Sequence, residues 1–193
     1  MSAKVLILGG ARSGKSLLAE GLSEDLARAG GGQGPIYLAT AQALDGEMAE
    51  RVAGHQARRG RGWRTLEEPL ELEAALMQAD AAGAVILVDC LTMWLSNLLL
   101  RPGLSQEQAR RRCQERARDL MQLVPSLRAS LILVANEVGL GIVPENTLAR
   151  AFRDLAGSLN QGLAKVCGHV FFVAAGLPLA LKGEPTALPP LRG

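Results

Sequence analysis

Aromatic residues are scarce in this 193-residue chain, at 3% of the composition. Proteins that hold single-stranded nucleic acid stack its bases on aromatic side chains, so a surface of that kind is not expected here. The chain also lacks an excess of either charge, because 21 Lys and Arg against 19 Asp and Glu leave a net charge of +2. That balance gives no electrostatic reason for binding nucleic acid or an anionic membrane, and we expect neither partner.

Cysteine and long apolar runs are also lacking. The three cysteines, Cys90, Cys113 and Cys167, are far apart and odd in number. They form neither a disulfide framework nor a metal motif, which favours a reducing compartment. No apolar run reaches about 18 residues without a charge or a breaker, so no membrane span is expected. The N-terminus leads directly into the first predicted strand and leaves no room for a signal peptide. We expect a soluble, cytoplasmic protein.

The most informative stretch present fits the phosphate-binding pattern G-x-x-x-x-G-K-[ST]. It consists of Gly9, Gly10, Ala11, Arg12, Ser13, Gly14, Lys15 and Ser16. An apolar run at 5–8 precedes it and a helix-forming run at 17–29 follows, which is the strand–loop–helix context that such a loop requires. Its backbone N–H groups are expected to surround phosphate oxygens. Lys15 would add positive charge at the β- and γ-phosphates, and Ser16 a hydroxyl ligand for Mg²⁺.

Apolar runs and helical patterns alternate along the rest of the chain. This alternation predicts an α/β fold, with a mostly parallel sheet and helices on both faces. The predicted strands are 5–8, 35–39, 85–89, 131–135 and 170–174, with 177–181 as an antiparallel edge strand. The predicted helices are 17–29, 46–59, 70–79, 91–100, 105–127 and one from Pro144 or Asn146 to about 166. We expect one domain over 1–183 and a flexible tail over 184–193.

Polar residues follow several predicted strands, at the sheet edge where open parallel sheets bind ligands. Asp89 ends an apolar strand as the acid of a Walker B element does, which favours a role in holding Mg²⁺; capping the next helix is the alternative. Glu137 follows a later strand, and a functional carboxylate and a turn residue are equally good interpretations of it. Thr40-Ala41-Gln42 lies just past the second strand.

His55 is one of only two histidines in the chain. Imidazole is a good nucleophile toward phosphorus, because the phosphoramidate that forms can pass the group on. Arg58 and Arg59 lie close by in sequence and could neutralise phosphates. From the residues alone, packing of His55 on the apolar face of the 46–59 helix is the stronger interpretation. His169 lies at a helix-to-strand junction, where a turn role is expected.

Several segments together resemble a known family. They are Gly9–Ser16, Tyr37–Ala41, Asp45–Met48 with Arg51 and His55, Trp63–Thr65 with Glu67, Val88–Thr92, Asn136–Asn146, and Phe152–Gly157 with Asn160-Gln161. The combination resembles the bifunctional adenosylcobinamide kinase / adenosylcobinamide-phosphate guanylyltransferases of cobalamin biosynthesis, over about residues 4–182. The resemblance implies a three-layer P-loop NTPase fold with a RecA-like sheet, and assembly into homotrimers or larger oligomers.

The resemblance also implies two reactions. A nucleoside triphosphate, ATP or GTP, phosphorylates adenosylcobinamide; GTP then transfers GMP to a histidine, which passes it on to give adenosylcobinamide-GDP. The implied catalytic residues are His55 and Lys15, and the implied metal ligands for Mg²⁺ are Ser16 and Asp89. The implied nucleotide-binding residues are Gly9–Ser16, Thr40, Ala41, Gln42, Gln56, Arg58, Arg59, Glu67 and Asp89. Two alternatives stay open: a P-loop kinase of another small metabolite with a structural His55, and a RecA-like nucleotide-gated binding module.

Overall fold

The computed structural model describes residues 2–31, 34–41 and 62–183. Its strands are β1 (Lys4–Gly9), β2 (Ile36–Ala39), β3 (Arg64–Glu67), β4 (Val85–Asp89), β5 (Ser130–Asn136), β6 (His169–Ala174) and β7 (Leu177–Lys182). Its helices are α1 (Lys15–Ala29), α2 (Leu72–Ala79), α3 (Leu91–Leu99), α4 (Gln106–Leu123) and α5 (Thr147–Val166). A 3₁₀ turn at Val124–Ser126 follows α4. The predicted helix over 46–59 and the tail at 184–193 lie outside the described residues.

The strands form one seven-stranded sheet in the order β3-β2-β4-β5-β1-β6-β7. Every neighbouring pair is parallel except β6 and β7, which are antiparallel. The prediction of a mostly parallel sheet with an antiparallel edge strand is therefore confirmed. Strand β1 lies between β5 and β6, so the loop that follows it is flanked by the chain segments that leave those two strands.

The two faces of the sheet are covered by different helices. Successive residues of a strand point to opposite faces of the sheet. On one face, strand residues such as Leu6, Val88 and Leu133 pack with apolar residues of α2, α3, α4 and α5. The intervening residues, such as Ile7 and Val134, pack with Leu18, Ala19, Leu22 and Ala27 of α1. Helices thus lie on both faces, as predicted. No described helix is both long and apolar enough to cross a bilayer.

Side chains cap the N-termini of two helices, both near the predicted starts. Ser105 Oγ accepts a hydrogen bond from Gln108 N, and the Gln108 side chain accepts one from Ser105 N, so α4 opens with a complete capping box. Asn146 Oδ1 accepts a bond from Ala149 N at the start of α5. Of the two predicted start points for that helix, Asn146 is therefore the one observed.

Strand β3 was missed by the sequence analysis. Its four residues are exposed or half-exposed, and it pairs with β2 at the edge of the sheet. Because an edge strand with two polar faces buries little, it has no apolar run by which it could be recognised. The following helix starts at Leu72 rather than at Leu70. Glu68 Oε1 accepts hydrogen bonds from the backbone N–H groups of Leu70 and Glu71 and keeps them in a turn.

Candidate active site

The predicted phosphate loop connects β1 to α1. Two of its residues lie in the left-handed region, Arg12 with φ 55° and Gly14 with φ 97°. Gly14 is also the N-cap of α1, and no described side chain caps that helix N-terminus. The N-terminal N–H groups of a helix carry partial positive charge, and they attract anions such as phosphate. The loop thus has the backbone form that phosphate binding requires.

Lys15 is only 8% exposed. Its Nζ donates a hydrogen bond to the carbonyl oxygen of Gly10, 2.8 Å away. This contact folds the lysine back over the start of the loop, so its ammonium group lies inside the loop's curve. Ser16 follows, half-buried in the first turn of α1. Both side chains therefore lie at the mouth of the helix.

The strand register brings several predicted residues to one edge of the sheet. Ala39 is level with Glu67 on one side and with Asp89 on the other. Gly9 is level with Asn136. Because these strands are parallel, all these residues lie at the carboxyl edge, where the phosphate loop begins. Asp89 ends its strand at this edge, as predicted, and the unpredicted strand β3 brings Glu67 to the same edge.

Asp89 does not cap the helix that follows it. The N-cap of α3 is Cys90, and no capping side-chain hydrogen bond is present there among the described residues. Instead Asp89 Oδ2 accepts a hydrogen bond from the hydroxyl of Tyr37 at 3.3 Å. The carboxylate is half-buried, and the Tyr37 hydroxyl holds it at the edge. That arrangement fits the Walker B interpretation better than the capping one.

Thr40 is completely buried. Its hydroxyl donates to Cys90 O at 2.7 Å and accepts from Cys90 N at 2.9 Å. Its own N–H donates to Asp89 O, and its carbonyl accepts from Asn97 Nδ2. The hydroxyl and the N–H of Thr40 are therefore bonded to the backbone at the end of β4, where the Asp89–Cys90 peptide bond is cis. In this arrangement it positions Asp89.

All three cysteines are free and buried. Burial raises the pKa of the Cys90 thiol to about 11, and the negative charge of Asp89 adds to the shift. Burial likewise raises the pKa of Cys113 to about 11 and that of Cys167 to about 12. The thiolate is the nucleophilic form, so burial disfavours nucleophilic chemistry at all three thiols. The predicted absence of disulfides is confirmed.

Glu137 forms a turn beside the phosphate loop. Its N–H donates to Gly9 O at 3.0 Å, and its Oε1 accepts from Gly139 N at 2.6 Å. Of the two roles left open for Glu137, these contacts show the turn role. Two arginines of α5 fasten the loop that follows: Arg153 donates to Gly139 O and Gly141 O, and Arg150 to Pro144 O and Glu145 O. The i, i+3 spacing of these arginines was the signal that the sequence analysis did not use.

The remaining predicted residues fall into two groups. Ala41 is half-buried directly after Thr40, at the carboxyl edge. His55, Gln42, Gln56, Arg58 and Arg59 lie outside the described residues. The described residues contain no cluster of three or more metal-ligating side chains. Magnesium bound with a nucleotide takes few protein ligands and several phosphate and water oxygens, so the pair Ser16 and Asp89 fits such an ion.

The comparisons with known proteins agree with this arrangement. A family model described as cobinamide kinase / cobinamide phosphate guanyltransferase matches residues 5–181. The chain belongs to this family. A relative from Pseudomonas aeruginosa, the bifunctional adenosylcobalamin biosynthesis protein CobP, is 51% identical over 93% of this chain and 98% of its own length. The relative CobU from Salmonella typhimurium is 40% identical over 92% of this chain and 99% of its own length.

Membership of the cobinamide kinase / guanyltransferase family makes the chain an enzyme of the transferase class, and it confirms the resemblance seen in the sequence. A solved structure from Pyrococcus horikoshii, PH0250, matches with a TM-score of 0.50 at 13% identity and covers 99% of this chain and 94% of its own. That likeness concerns the fold alone. The family match extends from β1 to within β7, so it includes the whole carboxyl edge described above.

Proposed function

We propose that this protein phosphorylates adenosylcobinamide and then transfers GMP to the product, giving adenosylcobinamide-GDP. One observation carries the proposal: the phosphate loop with Lys15 and the strand-end acid Asp89 lie at one sheet edge in a member of the cobinamide kinase / guanyltransferase family. A nucleoside triphosphate, ATP or GTP, would bind with its phosphates along residues 9–16. Adenosylcobinamide would approach from the same edge.

In the kinase step, the substrate hydroxyl attacks the γ-phosphorus of the triphosphate. The bond from phosphorus to the bridging oxygen breaks, the nucleoside diphosphate leaves, and the hydroxyl proton passes to solvent or to a base at this edge. Phosphoryl transfer of this kind depends on positioning and on charge neutralisation. Lys15 supplies positive charge beside the loop. Mg²⁺, held by the Ser16 hydroxyl and Asp89, would neutralise phosphate oxygens when bound.

In the transferase step, His55 is the proposed nucleophile. An imidazole nitrogen attacks the α-phosphorus of GTP, a phosphorus–nitrogen bond forms, and pyrophosphate leaves with the electrons of the broken bond. A phosphate oxygen of adenosylcobinamide phosphate then attacks the same phosphorus and releases the imidazole. The support is the family membership and the position of His55 in the segment that follows Ala41 at the carboxyl edge. The proposed nucleotide ligands in that segment are Gln42, Gln56, Arg58 and Arg59. Glu67, on β3, is a further proposed ligand.

The chain offers its own control for this step, since it has two histidines. Wild type, His55→Ala and His169→Ala would be incubated with GTP labelled at the α-phosphate, then precipitated and counted per mole of folded protein. We expect acid-labile, base-stable label on the wild type and on His169→Ala, and none on His55→Ala. An active wild type without label would contradict the transferase proposal and leave a kinase with a structural His55. Hydrolysis stimulated by DNA but not by cobinamide would favour the nucleotide-gated binding module.

We also propose a homotrimer or larger homo-oligomer, and a cytoplasmic location. The first rests on the family resemblance. The second rests on the three free thiols and on nucleotide substrates that are made in the cytoplasm. Light scattering after size-exclusion chromatography tests the first: a mass of 20.4 kDa, that of one chain, would contradict it.

A further inference from the structure

The hairpin formed by β6 and β7 contacts the phosphate loop at both of its ends. At the start of the loop, a Cβ placed on Gly9 would lie 2.5 Å from the carbonyl oxygen of Val173, in β6. At its end, a Cβ placed on Gly14 would lie 3.0 Å from the Cα of Gly176, in the hairpin turn. Real Cβ atoms essentially never approach another atom to 2.5 Å, and a 3.0 Å approach is tighter than most real Cβ contacts and would require the turn to shift. Two glycines of the motif are therefore required by the hairpin as well as by a phosphate ligand.

A hydrogen bond joins the same two elements. The backbone N–H of Gly176 donates to the carbonyl oxygen of Ser13 at 2.8 Å. A trans peptide is planar, with its C=O and N–H pointing in opposite directions. Because the Ser13 carbonyl points to the hairpin, the N–H of Gly14 in the same peptide unit points away from it. The bond therefore sets the direction of one of the N–H groups that a phosphate loop uses.

The turn is built to present that donor. Ala174 and Leu177 pair across the hairpin, and the two residues between them have φ 51° at Ala175 and φ 79° at Gly176. Positive φ at both central residues is the mark of a type I′ turn, the kind that suits a two-residue hairpin. The pattern of the phosphate motif contains no sign of this partner, which lies more than 160 residues further along the chain.

We propose that Gly176 is a positioning residue of the nucleotide site: its N–H holds the Ser13–Gly14 peptide of the phosphate loop in the orientation that binds phosphate. The proposal rests on the proposed nucleotide site. It assigns a function to the β6–β7 turn, which belongs neither to the phosphate motif nor to the segment that contains His55. A hairpin that only completes the sheet edge would leave nucleotide affinity unchanged when its turn is altered.

The test uses Gly176→Ala with Gly103→Ala as the matched control. Both glycines have positive φ, 79° and 85°, and an added Cβ meets nothing within 4 Å at either. The two variants therefore carry the same backbone strain, but only one touches the phosphate loop. Affinity for ATP with Mg²⁺ would be measured by calorimetry, beside the melting temperature. We expect similar losses of melting temperature in both. ATP binding should be about five- to tenfold weaker in Gly176→Ala alone, because the backbone shift that relieves the strain moves the retained N–H away from Ser13 O and weakens a bond worth about 1 kcal/mol.

A conservative variant sharpens the result. Asn tolerates positive φ better than Ala, so Gly176→Asn should restore most of the ATP affinity. In kinase assays, Gly176→Ala should raise the KM for the triphosphate and leave the KM for the acceptor unchanged. Equal ATP affinity in Gly176→Ala and Gly103→Ala would overturn the proposal. A wild type that binds no nucleotide would instead contradict the proposed function.

Amide hydrogen exchange on the wild type gives a measurement that needs no variant. If the turn and the loop act together, the Gly176 N–H should exchange more slowly when ATP and Mg²⁺ are bound. The N–H groups within the sheet, such as that of Phe172, serve as the reference. An exchange rate at Gly176 that ATP does not change would also overturn the proposal.

Discussion

Two lysines at opposite edges of the sheet are equally buried, each 8% exposed, but they have different partners. Lys4, at the amino edge, donates from Nζ to Leu127 O at 2.9 Å, Ala129 O at 2.5 Å and Ser2 Oγ at 3.0 Å. Lys15, at the carboxyl edge, donates to Gly10 O within the phosphate loop itself. Burial lowers the pKa of Lys4, and the negative charge of Asp80 partly offsets that shift.

Two aspartates repeat the contrast. Asp80, at the amino edge, accepts from the N–H groups of Arg128 and Ala129 at 2.8 Å each and also faces the Arg128 guanidinium. Asp89, at the carboxyl edge, accepts a hydrogen bond of 3.3 Å from the side-chain hydroxyl of Tyr37. Burial and charge are thus alike at the two edges. Their partners differ: backbone groups at residues 127–129 hold the amino-edge charges, whereas Lys15 contacts the backbone of its own loop and Asp89 contacts the side-chain hydroxyl of Tyr37.

The difference between the two edges is tested most strongly by removing the charge of each lysine in turn. Lys15→Met should lower the kcat/KM of phosphorylation by about 10²–10³-fold, the usual loss for one group that stabilises transition-state charge. Lys4→Met should leave the kcat/KM unchanged and cost about 1–3 kcal/mol of unfolding free energy, because two buried carbonyls lose a charged donor. Steady-state kinetics and denaturant unfolding measure the two effects. Equal kinetic losses in both variants would refute the division between the edges.

The aspartates allow a second crossed test with a smaller expected effect. Asp89→Asn should reduce the kinase rate by about 10–100-fold, the usual loss when a group near a metal is altered, and should raise the Mg²⁺ concentration needed for half-maximal rate. Asp80→Asn should leave the Mg²⁺ dependence as in the wild type. Titration of the rate with Mg²⁺ at saturating nucleotide measures this. An unchanged magnesium requirement in Asp89→Asn would remove that residue from the metal site.

The smallest effect concerns pH. Burial alone would raise the pKa of Asp80, but the N–H groups of Ala129 and Arg128 and the Arg128 guanidinium outweigh it and hold the pKa below its usual value. A depressed carboxyl pKa stabilises the fold above the unfolded-state pKa of about 3.9, and this contribution is lost as the pH falls through the folded-state value. Wild type should therefore lose about 1 kcal/mol more than Asp80→Asn between about pH 5 and pH 3.

Urea unfolding at a series of pH values measures this difference. If the unfolding free energies of wild type and Asp80→Asn fall in parallel between about pH 5 and pH 3, Asp80 contributes nothing to the loss of stability in acid.

The sequence predicted those parts of the molecule whose cause is local. The phosphate loop, the strand that ends at Asp89 and the helix starts at Ser105 and Asn146 each depend on residues that lie within a few positions of one another. Their shared edge was also predictable, since parallel strands place their carboxyl ends together. The identity of the family followed from several such segments together, above all the one from Asn136 to Asn146.

What the sequence did not predict depends on distant contacts. Strand β3 forms by pairing with the edge of β2, and its own residues are mostly exposed. Thr40 stays a predicted nucleotide neighbour, but the contacts of its hydroxyl with the backbone of Cys90, 50 residues away, were not predicted. The bond from Gly176 to Ser13 and the two carbonyl contacts of Lys4 span more than 120 residues each. No periodicity or motif encodes such pairings, because either partner alone is an ordinary residue.

The strand order has a consequence for the synthesis of the protein. Strand β1 pairs with β5 and β6 and with no strand made earlier. At about 5–20 residues per second, the ribosome completes the phosphate loop on the order of ten seconds before it makes the strands that enclose the loop. Until the β6–β7 turn emerges, the nascent chain carries the motif without the neighbours that shape it. The first functional segment to be made is therefore among the last to acquire its neighbours, and we expect a chain cut short before residue 176 to bind nucleotide at this loop more weakly than the whole chain.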